Sequence, residues 1–101
     1  MMNRKNNKNG ISTNKKIMVR VRFITIMQRY SGHKEIRMEL LPDPSQAVKY
    51  IIDKFQIPWS GQLEKSTRIF INKRELNDFL RSGGLLKPGD TIAFIPISGG
   101  G

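Results

Sequence analysis

Alternating apolar and polar side chains begin the patterned part of the chain. Apolar residues occupy every second position over residues 17–23 and again over residues 36–40, with charged residues between most of them. A period of two predicts strands with one buried face and one wet face. The link between them, residues 28–34, contains Ser31 and Gly32 and predicts a turn, so we expect a β-hairpin.

A helix start follows the second strand. Asp43 can cap a helix, Pro44 suits its first position, and Gln46 stands at the third, as in a capping box. Apolar residues then recur at spacings of three and four, which predicts one buried helical stripe: Ala47, Val48, Ile51, Ile52 and Phe55. Pro58 should end this helix, and residues 56–66 predict a loop that includes Trp59, the single tryptophan.

The next stretch is less regular. Residues 67–72 (TRIFIN) predict a third strand, and residues 73–75 predict a turn. Residues 76–86 are ambiguous, because Leu76, Phe79 and Leu80 have helical spacing over a short run only. Gly83 and Gly84 lack the spacing of a phosphate-binding loop and indicate a helix end.

The last strand predicts the fold. Residues 87–90 (KPGD) place proline and glycine as a type II turn requires. Residues 91–95 (TIAFI) form a nearly continuous apolar run, which is typical of a central strand buried on both faces. Two strands, one helix and two further strands predict an α+β protein, and we expect a β-grasp: a mixed sheet curled around one main helix, over residues 17–101.

Composition limits the possible functions. A chain of 101 residues makes one domain. Its net charge is +10, and the charges are unevenly distributed along the sequence. Residues 1–16 hold five basic side chains and no acid, and predict a disordered basic tail. With no cysteine and one histidine, a disulfide scaffold, a zinc finger and a thiol nucleophile are excluded, and no metal site is expected. No apolar run approaches the length of a membrane span, so we expect a cytoplasmic protein without a membrane partner.

The C-terminus is the most unusual feature of the sequence. The predicted central strand leaves directly through Pro96 and Ile97 into Ser98 and three glycines at 99–101. Such an end can be frayed or a cloning remnant, and frayed polar ends are common. Two features favour a working tail instead: no linker separates it from the strand, and Pro96 stiffens its exit.

A family resemblance rests on these residues. Residues 93–100 (AFIPISGG), preceded by residues 86–90 (LKPGD), resemble the C-terminal signature of the MoaD/ThiS family of ubiquitin-like sulfur carriers. The order of elements over residues 17–101 agrees with that family. There are two departures: Ile95 stands where the family usually has a first proline, and Gly101 is one residue beyond the family's Gly-Gly.

The resemblance implies that the terminal carboxylate is the working group, on Gly101 or on Gly100 after trimming. A ubiquitin-activating-type enzyme would adenylate it with ATP, and sulfur transfer would then give a thiocarboxylate. The carrier itself would be no enzyme and would bind no cofactor. The second partner would be a molybdopterin synthase large subunit or a thiazole synthase, and Phe94-Ile95-Pro96 favours the molybdopterin role.

The partner contacts predicted from the resemblance are Phe94, Pro96, Ile97, Ser98, Gly99 and Gly100. A docking patch on the sheet face near the tail exit would use Leu86, Phe94 and Ile97, although each can equally be core. The alternatives are a ThiS-like carrier for thiamine thiazole synthesis and a ubiquitin-like protein modifier.

A further alternative is a basic RNA-associated β-grasp module, whose N-terminal tail makes nonspecific nucleic-acid contacts. Two single residues remain ambiguous. His33 is expected at the surface, without a ligand or base role. Trp59 is expected to cap the core, although a partner contact is the other possibility.

Overall fold

The computed structural model of the chain describes residues 15–97. The strands are β1 Ile17–Phe23, β2 Glu35–Leu40, β3 Thr67–Ile71, β4 Arg74–Glu75 and β5 Thr91–Pro96. The helices are α1 Ile26–Ser31, α2 Pro44–Lys54, α3 Gly61–Lys65 and α4 Leu76–Arg81. The predicted tail over residues 1–16 therefore lies almost wholly outside the described residues, as do Ser98, Gly99, Gly100 and Gly101.

The five strands form one mixed sheet in the order β2-β1-β5-β3-β4. β1 pairs antiparallel with β2 and parallel with β5, and β5 pairs antiparallel with β3. β5 is thus the central strand, as its apolar run predicted. The core-facing side chains of the sheet and the stripe of α2 belong to one buried cluster, so the β-grasp expectation is confirmed.

The main helix forms for the reasons that its sequence indicated. The Asp43 carboxylate accepts a hydrogen bond from the Gln46 backbone N–H at 3.0 Å, and Pro44 opens the helix. Ala47, Val48 and Ile51 are buried, while the opposite side of the helix is exposed. Helix α2 therefore presents one stripe to the sheet.

The turn expected between the first two strands is wrong, because residues 26–31 form helix α1. Gly32 ends this helix with φ of 82°, and its N–H donates to the Gln28 carbonyl at 2.7 Å. Met27 turns into the core and is fully buried, which gives this short helix its anchor. The loop expected over residues 56–66 likewise contains a helix, α3.

The second half otherwise follows the predicted pattern. Helix α4 ends in a Schellman motif, in which Gly84 N–H donates to the Phe79 carbonyl and Gly83 N–H to the Leu80 carbonyl. The turn before β5 has Gly89 at φ of 89°, as a type II turn requires. The turn expected over residues 73–75 is wrong in part, because Arg74 and Glu75 form the short edge strand β4.

No helix within residues 15–97 is long and apolar enough to cross a membrane.

Candidate functional site

The candidate site is the place where β5 leaves the sheet. Phe94 lies opposite Phe23 of β1, and Pro96 lies opposite Thr67 of β3. The strand ends at Pro96, yet the next residue is still held, since Ile97 N–H donates to the Ser66 carbonyl at 2.7 Å. The direction of the exit is therefore fixed as far as Ile97.

Ser66 is itself held by the end of α3. Its backbone N–H donates to the Gln62 carbonyl at 2.9 Å, and its hydroxyl donates to the same carbonyl at 2.8 Å. The side chain of Ser66 thus closes the last turn of α3, while its own carbonyl points to Ile97. Helix α3, which sequence reasoning missed, orients the base of the tail.

Phe94 is not a partner contact in this structure. Its side chain is 0% exposed and stacks on Phe23 with ring centroids 5.5 Å apart. The ring of Trp59 packs perpendicular to the ring of Phe94, with centroids 5.9 Å apart. Trp59 therefore covers the core, as was expected of it. The interpretation of Phe94 as a docking residue is corrected, because a strand paired on both sides and packed against a helix leaves its core-facing side chains no access to a partner.

Leu86 is corrected in the same way. It is buried in the core cluster, and its backbone N–H donates to the Pro42 carbonyl. Of the three residues in the expected docking patch, only Ile97 stays accessible, at 39% exposure. Pro96 beside it is half-buried.

The outer face of the sheet carries the apolar side chains nearest to this exit. Opposite its core-facing residues, β5 turns Ala93 and Ile95 outward, beside Phe70 and Arg68 of β3. Ile95 and Phe70 are half-buried, whereas Ala93 between its neighbouring strands is only 9% exposed. This apolar strip runs along the central strand toward Ile97. Its members can be identified only from the register between β3 and β5, which the periodicity of the sequence does not show.

Charged residues flank the apolar strip. Arg20 and Arg22 of β1 both approach Glu35, with N–O distances of 3.3 and 3.6 Å. On the other side Arg68 reaches Glu75 at 3.2 Å. These pairs are about half exposed, so each contributes little to stability, roughly 0–1 kcal/mol. They give the outer face the pattern of an apolar centre with a charged border.

One buried polar atom lies at the exit. The Thr67 hydroxyl has no hydrogen-bond partner among the described residues, although the residue is buried. An unpaired buried hydroxyl costs stability, about 1–3 kcal/mol. Within the part of the chain that the structure describes, the hydroxyl of Thr67 therefore contributes no contact that the methyl group of a valine would lack.

The remaining candidates from the sequence have structural roles. His33 is exposed, and its ring packs edge-on against Phe55 at 5.6 Å. Asp43 caps α2. Within the described part of the chain, no group of three or more His, Cys, Asp or Glu residues is placed to hold a metal ion.

Comparison with known proteins defines the class of fold. Neither a protein-family model nor a curated protein sequence matches the chain. The structure does match solved β-grasp proteins, at low sequence identity. These are small archaeal modifier proteins.

The solution structure of small archaeal modifier protein 1 (SAMP1) from Methanosarcina acetivorans matches with a TM-score of 0.64 at 20% identity, covering 85% of this chain and 98% of that chain. The crystal structure of SAMP1 from Haloferax volcanii matches with a TM-score of 0.63 at 14% identity, covering 83% of this chain and 99% of the other. At these identities the likeness establishes the fold.

Proposed function

We propose that the chain is a ubiquitin-like carrier or modifier, itself no enzyme, whose C-terminal glycine carboxylate is activated by a partner. The observation that carries this proposal is the exit of the central strand. Ile97 is fixed by Ser66 yet accessible, and the sequence continues from it as Ser-Gly-Gly-Gly. A rigid base followed by residues with little or no side chain suits a tail that threads a narrow channel.

The chemistry begins with adenylation by an ATP-using enzyme of the ubiquitin-activating type. An oxygen of the glycine carboxylate attacks the α-phosphorus of ATP, and the bond to pyrophosphate breaks. The product is an acyl adenylate with AMP as a good leaving group. All catalytic groups belong to the partner in this step, and the carrier contributes the placed carboxylate.

The second step decides between carrier and modifier. In a carrier, a sulfide-level nucleophile adds to the acyl carbon and AMP leaves, which gives a thiocarboxylate. In a modifier, the activated acyl group passes to a lysine amine and forms an isopeptide bond. The resemblance to MoaD/ThiS favours the sulfur carrier, with the molybdopterin branch ahead of the thiazole branch, while the names of the structural neighbours favour the modifier.

The docking surface proposed for the activating enzyme is the outer apolar strip together with Ile97. Ala93 and Ile95 lie on β5, the strand that ends at the tail, and Phe70 lies opposite Ala93 on the neighbouring strand β3, so a partner bound there would receive the tail directly. Pro96, Ser98, Gly99 and Gly100 would follow into its channel. Phe94 and Leu86 are excluded from this surface because both side chains belong to the core cluster, to which Ala93 does not belong.

The experiment is ATP–pyrophosphate exchange with the cognate activating enzyme. The substrates are the full chain, a Gly101 deletion and a deletion of both Gly100 and Gly101. The double deletion moves the carboxylate back by about 7 Å, at roughly 3.3–3.6 Å per extended residue, so adenylation should be abolished. Unfolding midpoints of all three should agree, because glycine has no side chain to bury in a core.

The outcomes separate the possible termini. Better exchange by the Gly101 deletion indicates trimming, and better exchange by the full chain makes Gly101 the working residue. Equal exchange by all three variants refutes the proposed function.

Mass spectrometry then distinguishes the acceptors. A sulfur carrier isolated from cells should show one terminal oxygen replaced by sulfur. A modifier should leave a remnant on target lysines after trypsin treatment. That remnant begins at residue 82, because Arg81 is the last cleavable site and Lys87 precedes a proline.

A further inference from the structure

Strand β2 forms a free edge of the sheet. Among the described residues it pairs only with β1. Phe23 N–H donates to the Lys34 carbonyl at 2.9 Å, which sets the phase of the antiparallel ladder. Because facing pairs alternate along such a ladder, the backbone groups of Glu35, Arg37 and Glu39 point away from β1.

A groove lies between this edge and helix α2. It consists of two adjoining hollows of ≈ 230 and ≈ 390 Å³, which share Lys16, Glu39 and Tyr50 in their walls. Its apolar lining comes from alternate residues of β2 and from α2: Ile36, Met38, Leu40, Ala47 and Tyr50. A strand added to β2 would direct every second side chain into this groove.

The rim of the groove is basic. Lys16, Arg37 and Lys54 line it against a single acid, Glu39. Lys49 lies on α2, as Lys54 does, but its Nζ already forms an ion pair with Asp53 Oδ2 at 3.0 Å. The three rim cations have no ion-pair partner within the described residues, so the groove complements an acidic ligand.

We propose that the β2 edge and the groove beside α2 bind an extended peptide segment of a partner protein, with alternate apolar side chains and an acidic flank. The segment adds as a strand through the outward groups of Glu35, Arg37 and Glu39. Its apolar side chains fill the two hollows, and its acidic flank meets Lys16 and Lys54. The unpaired backbone N–H and C=O groups of an edge strand otherwise promote aggregation, and a bound strand would form hydrogen bonds with them.

This surface is separate from the tail. Leu40 lies opposite Ile17 at one end of β1, whereas the tail leaves beside Phe23 at the other end. At about 3.3 Å per residue, the Leu40 end of the groove is roughly 20 Å along β1 from Phe23. Along its whole length, β2 is separated from β5, the strand that carries the tail, by β1. The proposal therefore does not depend on activation of the C-terminus, and a chain lacking Gly100 and Gly101 should bind the peptide equally well.

The test uses the full chain and a fluorescein-labelled synthetic peptide, in which alternating valines are flanked by aspartates. Fluorescence anisotropy should show saturable binding. A peptide of the same composition with its valines adjacent should bind more weakly, since its side chains no longer alternate between the groove and solvent.

The decisive variant is Arg37→Pro. Proline removes an N–H that points outward, so the β1–β2 ladder keeps its bonds, and edge strands tolerate proline at such positions. Peptide affinity should fall at least roughly tenfold, because the variant can no longer donate the Arg37 N–H to the added strand. A tenfold loss corresponds to about 1.4 kcal/mol. The matched control Arg37→Ala keeps the N–H and should stay within about fivefold of the wild type, because it loses only an exposed charge.

A second variant tests the contribution of the basic rim and leaves the sequence of β2 unchanged. Lys16→Glu with Lys54→Glu should weaken binding of the aspartate-flanked peptide and strengthen binding of a lysine-flanked version. Both side chains are exposed, so this variant should fold as the wild type does.

Several outcomes would overturn the proposal. They are the absence of binding by the full chain, equal affinities of the Arg37→Pro and Arg37→Ala variants, and an unchanged preference after charge reversal. Hydrogen exchange at the amides of Glu35, Arg37 and Glu39 adds a further check without peptide. Protection that rises with protein concentration would assign the edge to a second copy, and protection independent of concentration would assign it to another segment of this chain.

Discussion

Replacing Phe94 by alanine tests the distinction between the anchored strand and the accessible exit. Phe94 is fully buried, stacks on Phe23 at 5.5 Å and meets Trp59 edge-on at 5.9 Å. Truncating a buried phenylalanine to alanine typically costs about 3–5 kcal/mol, because apolar contacts are lost and a cavity remains. We expect Phe94→Ala to fall in this range.

That loss is large compared with the whole stability of the protein. At about 0.05–0.15 kcal/mol per residue, a chain of 101 residues has about 5–15 kcal/mol in total. Each kcal/mol lowers the midpoint of a domain this size by roughly 4–8 °C, so the variant should melt at least about 12 °C lower. A Phe94→Leu control, which keeps most of the volume, should lose only about 1–2 kcal/mol.

Ile97→Asp is the matched change at the surface. Ile97 lies beyond the strand and is held through its backbone, which the substitution retains, so stability should change by about 0.5 kcal/mol or less. Binding to the activating enzyme should weaken, because a charge replaces an accessible apolar side chain in the proposed docking surface.

The assay is urea unfolding followed by the emission of Trp59, which reports on the Phe94 contact. A Phe94→Ala loss below about 1 kcal/mol, together with an Ile97→Asp loss above 2 kcal/mol, would refute the reasoning. It would mean that Ile97 is core and Phe94 is not.

The other predictions concern single polar contacts. Asp43→Ala should cost about 0.5–2 kcal/mol in urea unfolding, because the bond from Gln46 N–H is lost, and Asp43→Asn should cost only a few tenths. Thr67→Val should leave stability unchanged or raise it by about 1 kcal/mol, because the hydroxyl that it removes has no hydrogen-bond partner within residues 15–97. Thr67→Ser, which keeps the hydroxyl and loses a methyl group, should instead destabilise; a clear loss in the valine variant would show that the hydroxyl is bonded after all.

The sequence was sufficient wherever a long pattern carried the information. The stripe of α2, the Asp43 cap and the central place of β5 follow from periodicity and from capping chemistry. The short elements were missed because five or six residues make less than two helical turns and display no period. At Gly32 the signal was real but ambiguous, since a glycine at positive φ ends a helix as readily as it makes a turn.

The candidate site could be predicted in part only. The exit of β5 toward the glycines was visible in the sequence, but the contact from Ser66 to Ile97 depends on a helix and a strand pairing that lie 30 residues away along the chain. The outer strip of Phe70, Ala93 and Ile95 needs the register between β3 and β5. Such long-range pairings are invisible to patterns read within one segment.

The misplacement of Phe94 has a definite physical cause. An apolar run of strand length was correctly predicted to be central, and a central strand next to two others has no free edge. Any surface that it offers must be on the outer face, where alternate residues point. Ala93 and Ile95 point to that face and Phe94 does not. Since Ala93 is only 9% exposed, Ile95 is the residue of the pair with more surface for the proposed partner, and the pleat of the strand explains why it is Ile95 and not Phe94.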